Sequence, residues 1–478
     1  MSVACGLQHT LVVSSAASIY AWGYGADGQL GFPAQEDIFV PTRIDTVAMS
    51  AVDVVMVAAS GNSSAAVAKD GTVYTWGYCH TGREGPYPAT IKEPTRRDKT
   101  AFGGSPAVMV ACGTHHTMVL TADGRLWTFG KGSNGQLGHG GVEFQLEGGG
   151  ADWMYKGVLA PTPITHFSEV LKTKIVMMAA GEEHSMALTA EGVVYTWGSN
   201  KSFALGHQGV GVYGTPVMLE RASFTGSNVV YIQAGDHHSA AVTKEGTLFM
   251  WGCESDGVLG LGGCDGFIEN PTPLNQNEFG GVPVYSVTCG KTHTMAITKD
   301  GRLWMWGVSG DWAGEWKEPG GQSCTGRFLR PHPIDPIHFG GARIVAASAG
   351  QHFSAVVTDL NELFGWGWEI SHRRSFYGRT VLGFFRQDEE PTPVRLPSYS
   401  MQGALVGRYQ SLSKEHALAF AMGSHSRLGS EQRCEKGVYT LDAFLMKMIV
   451  EASGTKPEGR AGELEGFVRL MGAGNRCY

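Results

Sequence analysis

An aromatic residue followed by glycine closes a β-rich run seven times along this chain. The pairs are Trp22-Gly23, Trp76-Gly77, Phe129-Gly130, Trp197-Gly198, Trp251-Gly252, Trp306-Gly307 and Trp366-Gly367, at intervals of 53 to 68 residues. Self-similarity at such a period marks a repeated supersecondary unit, each copy burying its apolar faces against its neighbours. The third unit, Val108 to Gly140, shows the internal order. A short apolar strand ends at Cys112-Gly113, and a second begins at His116-Thr117. A turn falls at Asp123-Gly124, and a third strand returns from Leu126 to Phe129. Asp-Gly between two β-rich runs predicts a tight hairpin, because glycine takes positive φ without a steric penalty. The pair recurs at Asp70-Gly71 and Asp300-Gly301, with Glu191-Gly192 and Glu245-Gly246 as variants. A fourth segment follows a proline, one per period: Pro41, Pro94, Pro161, Pro216, Pro271, Pro331 and Pro391. A residue without a ladder donor suits the start of an edge strand.

Four short antiparallel strands repeated seven times predict an all-β fold, a seven-bladed β-propeller of four-stranded antiparallel blades with a short α-helical C-terminal tail. Between Thr72 and Trp76, Val73 points to one face while Tyr74 and Trp76 point to the other, as a blade covered on both sides requires. The aromatic before glycine is expected to fill the seam between blades. Phe129 shows that the ring matters there more than the indole nitrogen. Eight candidate second strands start near His9, Ser64, His116, His184, His238, His293, Phe353 and His416, one more than seven blades need. That surplus predicts circular closure, one terminus completing the blade begun by the other.

The Gly-x-x-His strand start, the Asp-Gly hairpin, the aromatic-Gly pair and the Gly-Gln-Leu-Gly turn together resemble the regulator-of-chromosome-condensation repeat. That last turn stands intact at Gly28–Gly31 and Gly135–Gly138, and as Gly257-Val258-Leu259-Gly260. The resemblance covers residues 1–425, leaving 426–478 as a helical extension. It implies a seven-bladed propeller and, as the family's founding activity, guanine-nucleotide exchange on a small GTPase by a hairpin wedge and acidic residues on one face. The insertion His139–Leu159 is the candidate wedge. The related plant UV-B photoreceptor places tryptophan directly after the repeat glycine. Here that site holds Leu7, Asn62, Thr114, Glu182, Asp236, Lys291 and Gln351, which argues against light sensing.

The 68 glycines fit dozens of tight turns. A net charge of −7, evenly spread, argues against bulk electrostatic binding of nucleic acid. No apolar run approaches the ~20 residues a membrane helix needs, and no secretory start is visible. Nine cysteines without paired spacing suggest a reducing compartment, cytoplasmic or nuclear. Cys5, Cys112 and Cys289 share a repeat position with Ala180, Ala234 and Ala349, so they read as small buried residues.

Several motifs imitate chemistry. Gly23-x-Gly25-x-x-Gly28 and Gly130-x-Gly132-x-x-Gly135 match a dinucleotide fingerprint but join a strand to a turn rather than to a helix, so no cofactor is expected. Gly290-Lys291-Thr292 resembles the end of a phosphate loop, yet Tyr285 stands where its first glycine belongs. His9, His116, His184, His238, His293 and His416 fall on separate blades, too far apart to share one metal. They read as structural hydrogen-bonding groups at strand starts, helped by the adjacent Thr10, Thr117, Ser185, Ser239 and Thr294. No nucleophile elbow or zinc spacing appears, so no catalytic or metal residue is named and the chain is not expected to be an enzyme.

Departures from the repeat carry more information about function. The third unit inserts His139–Leu159, with Trp153 among its aromatics; the sixth holds Trp312 and Trp316 with Lys317, Arg327, Phe328 and Arg330. The seventh carries Trp368, Arg373, Arg374, Phe376, Tyr377, Arg379, Phe384, Phe385 and Arg386. All follow the aromatic-Gly strand and so should leave corresponding blade edges. Aromatics mixed with arginine suit a protein interface; the alternative is rings packed back on the propeller. Beyond Gly423, Leu441, Phe444, Leu445, Met448 and Ile449 space as an amphipathic helix with Thr440 as N-cap, and a second helix is expected from Ala461 to Met471. The leading reading is a noncatalytic scaffold presenting loops from one propeller face to a protein partner; the alternative is a guanine-nucleotide exchange factor.

Overall fold

The computed structural model describes residues 2–367 and 394–395, apart from positions 15, 46, 50–51, 79–89, 141–156, 264, 309–327 and 352. Seven four-stranded antiparallel sheets follow one another, running from Ser2 to Arg43, Val54 to Arg97, Ala107 to Pro163, Ile175 to Met218, Val229 to Pro273, Val284 to Pro333 and Ile344 to Arg395. We call these blades 1 to 7 and count their strands outward in chain order. The innermost strands end around a central channel lined by residues such as Cys5, Ala59, Cys112, Gln233 and Ser348.

The tight hairpins form as expected. Gly71, Gly124 and Gly301 have φ of 81 to 83°, and in blade 3 the Thr121 hydroxyl donates to Asp123 Oδ1 at 2.6 Å. The prolines sit elsewhere than expected. Pro94 lies within the outer strand Ile91–Arg97 and Pro161 within Gly157–Pro163, rather than at their starts. Each falls where the ladder skips, between Thr75↔Thr95 and Gly77↔Ile91, and between Thr128↔Thr162 and Gly130↔Val158. A bulge on an edge strand needs no donor, so proline is tolerated mid-strand there.

Trp22, Trp76, Phe129, Trp197, Trp251, Trp306 and Trp366 are fully buried. Trp251 and Phe249 of blade 5 pack with Met186 and Leu188 of blade 4 and with Phe224, which ends the turn Arg221–Phe224 linking the two blades. Phe224 meets Trp251 edge-on at 6.1 Å and Phe249 at 5.4 Å. Phe102, Phe167, Phe279 and Phe339 do the same work in other links. These links are one-turn segments, long enough to carry the chain from an outer strand to the next inner one.

Two expectations are corrected. Among the described residues no helix reaches seven residues, the longest being the six-residue turn His166–Leu171. The fold of the described residues is an all-β propeller, with no α-helical tail among its elements; the stretches 441–449 and 461–471 lie outside the described residues. Strand-exchange closure is also absent among the described residues, because every blade is built from four consecutive strands. The ring instead closes by packing. The Cys5 N–H donates to Ser348 Oγ at 2.9 Å, and Cys5 packs with Phe353 and Ala355. The surplus second strand at His416 lies outside the described residues.

Candidate protein-interaction face

Strand register decides which loops share a face. In blade 1, Cys5 pairs with Thr10 and His9 with Gly23, so the end of the first strand, the start of the second and the end of the third lie together. The Gly-x-x-His loops and the ends of the aromatic-Gly strands therefore share one face, while the Asp-Gly hairpins and the links occupy the other. Gly77 and Ile91, Lys131 and Gly157, Gly307 and Phe328, and Gly365 and Val394 are the paired residues on which the long segments begin and end. All twelve residues singled out for partner binding, Trp153, Trp312, Trp316, Trp368, Arg373, Arg374, Phe376, Tyr377, Arg379, Phe384, Phe385 and Arg386, lie outside the described residues. Phe328, at the edge of the sixth segment, stacks on His332 at 4.4 Å.

Beneath this face a recurring hydrogen-bond chain ties neighbouring blades. His184 Nε2 of blade 4 lies 2.9 Å from Ser239 Oγ of blade 5, and that hydroxyl donates to the Ala204 carbonyl of blade 4 at 2.7 Å. The Trp251 indole N–H donates to the same carbonyl at 2.9 Å. With its one proton committed, the serine must accept from the imidazole, so Nε2 carries a proton. The chain recurs as His9–Ser64 with Gln29 and Trp76, His116–Ser185 with Gln136 and Trp197, and His238–Thr294 with Val258 and Trp306. Burial pushes His9, His116, His184 and His238 down to about 3. The structural role expected for these histidines holds, but the partner hydroxyl belongs to the next blade. Among the described residues, no group of three or more His, Cys, Asp or Glu gathers to hold a metal.

The glycine opening each Gly-x-x-His loop lets the blades approach. A Cβ at Gly181 would lie 2.2 Å from the His184 ring and 2.5 Å from the Gly235 carbonyl oxygen; one at Gly350 would lie 2.8 Å from the Gly6 carbonyl oxygen, across the closure. Cys5, Cys112 and Cys289 are buried, and burial pushes the Cys5 thiol up to about 12, which keeps it unreactive.

The residues after these glycines form a polar rim. Glu182 Oε2 of blade 4 meets His237 Nε2 of blade 5 at 3.2 Å, and Asn62 Nδ2 of blade 2 donates to Asp27 Oδ2 of blade 1 at 2.8 Å. Asp236 stands between Glu182 and Lys291. Burial, with help from Glu182, raises its carboxyl above the ordinary range, while Lys291 and His237 pull it back. One unit read alone does not show this rim, because Glu182 and His237 lie on neighbouring blades. The signal is in the sequence: Glu182, Asp236 and Lys291 stand directly after the repeat glycine in successive units.

Comparison with known proteins agrees with this architecture. Models of the regulator of chromosome condensation (RCC1) repeat match residues 17–67, 123–188, 191–242 and 245–297, and a second model of the repeat matches 108–136, 175–203, 229–258 and 284–311. The chain is similar to the ultraviolet-B receptor UVR8 of Arabidopsis thaliana, 29% identical over 76% of each chain. It is also 29% identical to the secretion-regulating guanine nucleotide exchange factor of Mus musculus, over 83% of this chain and 82% of the mouse protein. Among solved structures, Prp20p of Saccharomyces cerevisiae superposes with a TM-score of 0.61 at 21% identity, covering 81% of this chain and 87% of that one. The chain belongs to the regulator of chromosome condensation (RCC1) repeat family.

Proposed function

We propose that this protein is a guanine-nucleotide exchange factor that binds a small GTPase on the face bearing the Gly-x-x-His rim. The observation that carries this reading is the match to the mouse exchange factor along four-fifths of both chains; the solved structure of Prp20p also describes its binding to Gsp1p. The general scaffold is the less favoured reading.

Exchange needs no catalytic group on the exchange factor. It needs a surface that binds the nucleotide-free GTPase more tightly than the loaded one, and by reciprocity nucleotide and exchange factor weaken each other by the same factor. A rigid disc suits that task, because a partner distorted against it cannot relax by distorting the disc. The interblade hydrogen-bond chains supply the rigidity. The acidic members of the rim, Glu182 and Asp236, offer a complement to basic residues on the partner. The aromatic and arginine residues of the long segments, from Trp153 through Trp312 to Arg386, are proposed as further contacts, and the site of action is inside the cell, in cytoplasm or nucleus.

The test is release of labelled GDP from a panel of small GTPases. At least one member should be accelerated, and Glu182→Arg should lower that acceleration about tenfold without shifting the melting temperature. No acceleration across the panel removes the exchange reading.

A further inference from the structure

The turn after Trp251-Gly252 in blade 5 carries a carboxyl where its counterpart in blade 4 carries an amide. In blade 4, Asn200 clasps its own turn. Its Nδ2 donates to the His207 carbonyl at 2.9 Å and the Gly209 carbonyl at 2.7 Å, Oδ1 accepts from the Leu205 N–H at 3.1 Å, and its main-chain N–H donates to the Gly211 carbonyl at 2.7 Å. Glu254 stands three residues after Trp251, as Asn200 does after Trp197. Its main-chain N–H likewise donates across the turn, to the Gly266 carbonyl at 2.9 Å. Its side chain is 3% exposed and presses on Gly263, where an added Cβ would lie 3.3 Å from the Glu254 Cγ. Counted forward from the tryptophan, Gly263 corresponds to Gly209, one of the two residues whose carbonyls Asn200 holds, the blade 5 turn being one residue longer before it closes on Gly266. Among the described residues, neither carboxyl oxygen of Glu254 has a hydrogen-bond partner.

An amide brings two donors to such a place. A carboxylate brings none, and a buried charge besides, whereas a protonated carboxyl regains one donor and loses the charge. We propose that Glu254 is a proton-operated clasp: as a neutral acid it holds the blade 5 turn as Asn200 holds the blade 4 turn, and as a carboxylate it releases it. Burial alone pushes this acid up to about 7, with no neighbouring charge contributing. The charged groups around it are Asp256 and Asp265 of its own turn, His237, whose carbonyl accepts the Cys253 N–H, and Arg330 of blade 6, which lies over Gly262 and pairs with Glu278 at 2.7 Å. For an acid raised in the folded state, the turn is most stable below the ordinary value of 4.5. It loses stability as pH climbs from there toward about 7, and loses no more above that. The clasp sits on the face described above but does not depend on what binds there.

Hydrogen exchange on the full chain, corrected for intrinsic rates, tests this on peptides covering residues 254–263. Between about pH 6 and pH 8 the neutral fraction of an acid titrating near 7 falls about tenfold. Protection of the turn should fall by the same factor in the wild type and stay high and flat in Glu254→Gln, while residues 200–209 of blade 4 serve as the unchanging control. Equal, pH-independent protection in both proteins overturns the proposal. So does protection at pH 8 that returns on adding calcium, which would assign a cation rather than a proton. If Glu254→Gln fails to fold, isotope-edited infrared on the wild type decides: a glutamic acid carbonyl band present at pH 6 and lost by pH 8 supports the clasp, and its absence at pH 6 sinks it.

Discussion

The junction between blades 4 and 5 and the junction between blades 2 and 3 solve one packing problem with different chemistry. At the first, Trp251 fills the seam and its N–H shares the Ala204 carbonyl with Ser239, which in turn accepts from His184. At the second, Ser63 stands at the histidine position and Phe129 at the tryptophan position. The Arg97 guanidinium lies over the Phe129 ring, 4.9 Å from its centroid. Both rings are fully buried. The difference teaches that apolar filling is the shared requirement and the polar chain is an addition, worth its place only where a carbonyl and a hydroxyl are there to be joined. A buried indole N–H without an acceptor would be a liability, which a phenyl ring avoids.

The largest effect should come from emptying a seam. Trp251→Ala removes a fully buried ring between two blades and should destabilise the propeller by about 3–5 kcal/mol. Phe129→Ala should cost a similar amount, also about 3–5 kcal/mol, if filling is indeed what the two junctions share. Denaturant melts of both variants check this. A Phe129→Ala cost under half that of Trp251→Ala would mean that the polar chain, not the ring, holds the blades. Trp251→Phe separates the terms further, losing the indole bond, about 1 kcal/mol, and part of the ring volume, about 1 kcal/mol more.

Much of this comparison was legible in the sequence. The seven aromatic-Gly pairs, the Asp-Gly turns and the buried cysteine position of Cys5, Cys112 and Cys289 all stand where the periodicity put them, because each is fixed by a local rule: ring size, positive φ, small volume. The substitution of Phe129 for tryptophan was visible as well. Its reason was not, since the acceptor carbonyls of Gln29, Gln136, Ala204 and Val258 come from the neighbouring blade, and one unit read alone says nothing of its neighbour's main chain. The same blindness assigned the histidines to hydroxyls in their own strand. The prolines were misplaced because the bulge that frees them from the ladder is a feature of pairing. The rim of Glu182, Asp236 and His237 is not legible in one unit, because its members lie on blades 4 and 5 and meet only across that junction.

A middle-sized effect should separate the junctions by pH. His184 is neutral when folded and would be protonated near neutrality if exposed, so the folded state binds fewer protons. That contribution is fully present above the ordinary value of 6.5 and is lost as pH falls from there toward about 3. With His9, His116 and His238 behaving alike, stability should fall steeply on acidification below about pH 6.5. Replacing one latch with the blade 2 arrangement, His184→Ser, should lower stability at pH 7 by about 1–3 kcal/mol and make the acid slope shallower by one proton. Equal slopes in variant and wild type, measured by denaturant melts across the range, would show that the histidines titrate before the blades part.

The smallest effect belongs to Arg97. A cation over a buried phenyl face at a half-exposed site contributes about 0.5–1 kcal/mol, and less in salt. Arg97→Met keeps most of the aliphatic stem that covers Phe129 and removes only the charge. It should lower stability by no more than that amount at low ionic strength, with the difference shrinking in high salt. Arg97→Met combined with Phe129→Leu closes the cycle, since the arginine should then have no ring face left to favour. A coupling energy near zero between the two sites would reduce the guanidinium to a bystander. The 2–3 junction would then be held by apolar filling alone, a stricter version of the contrast with Trp251.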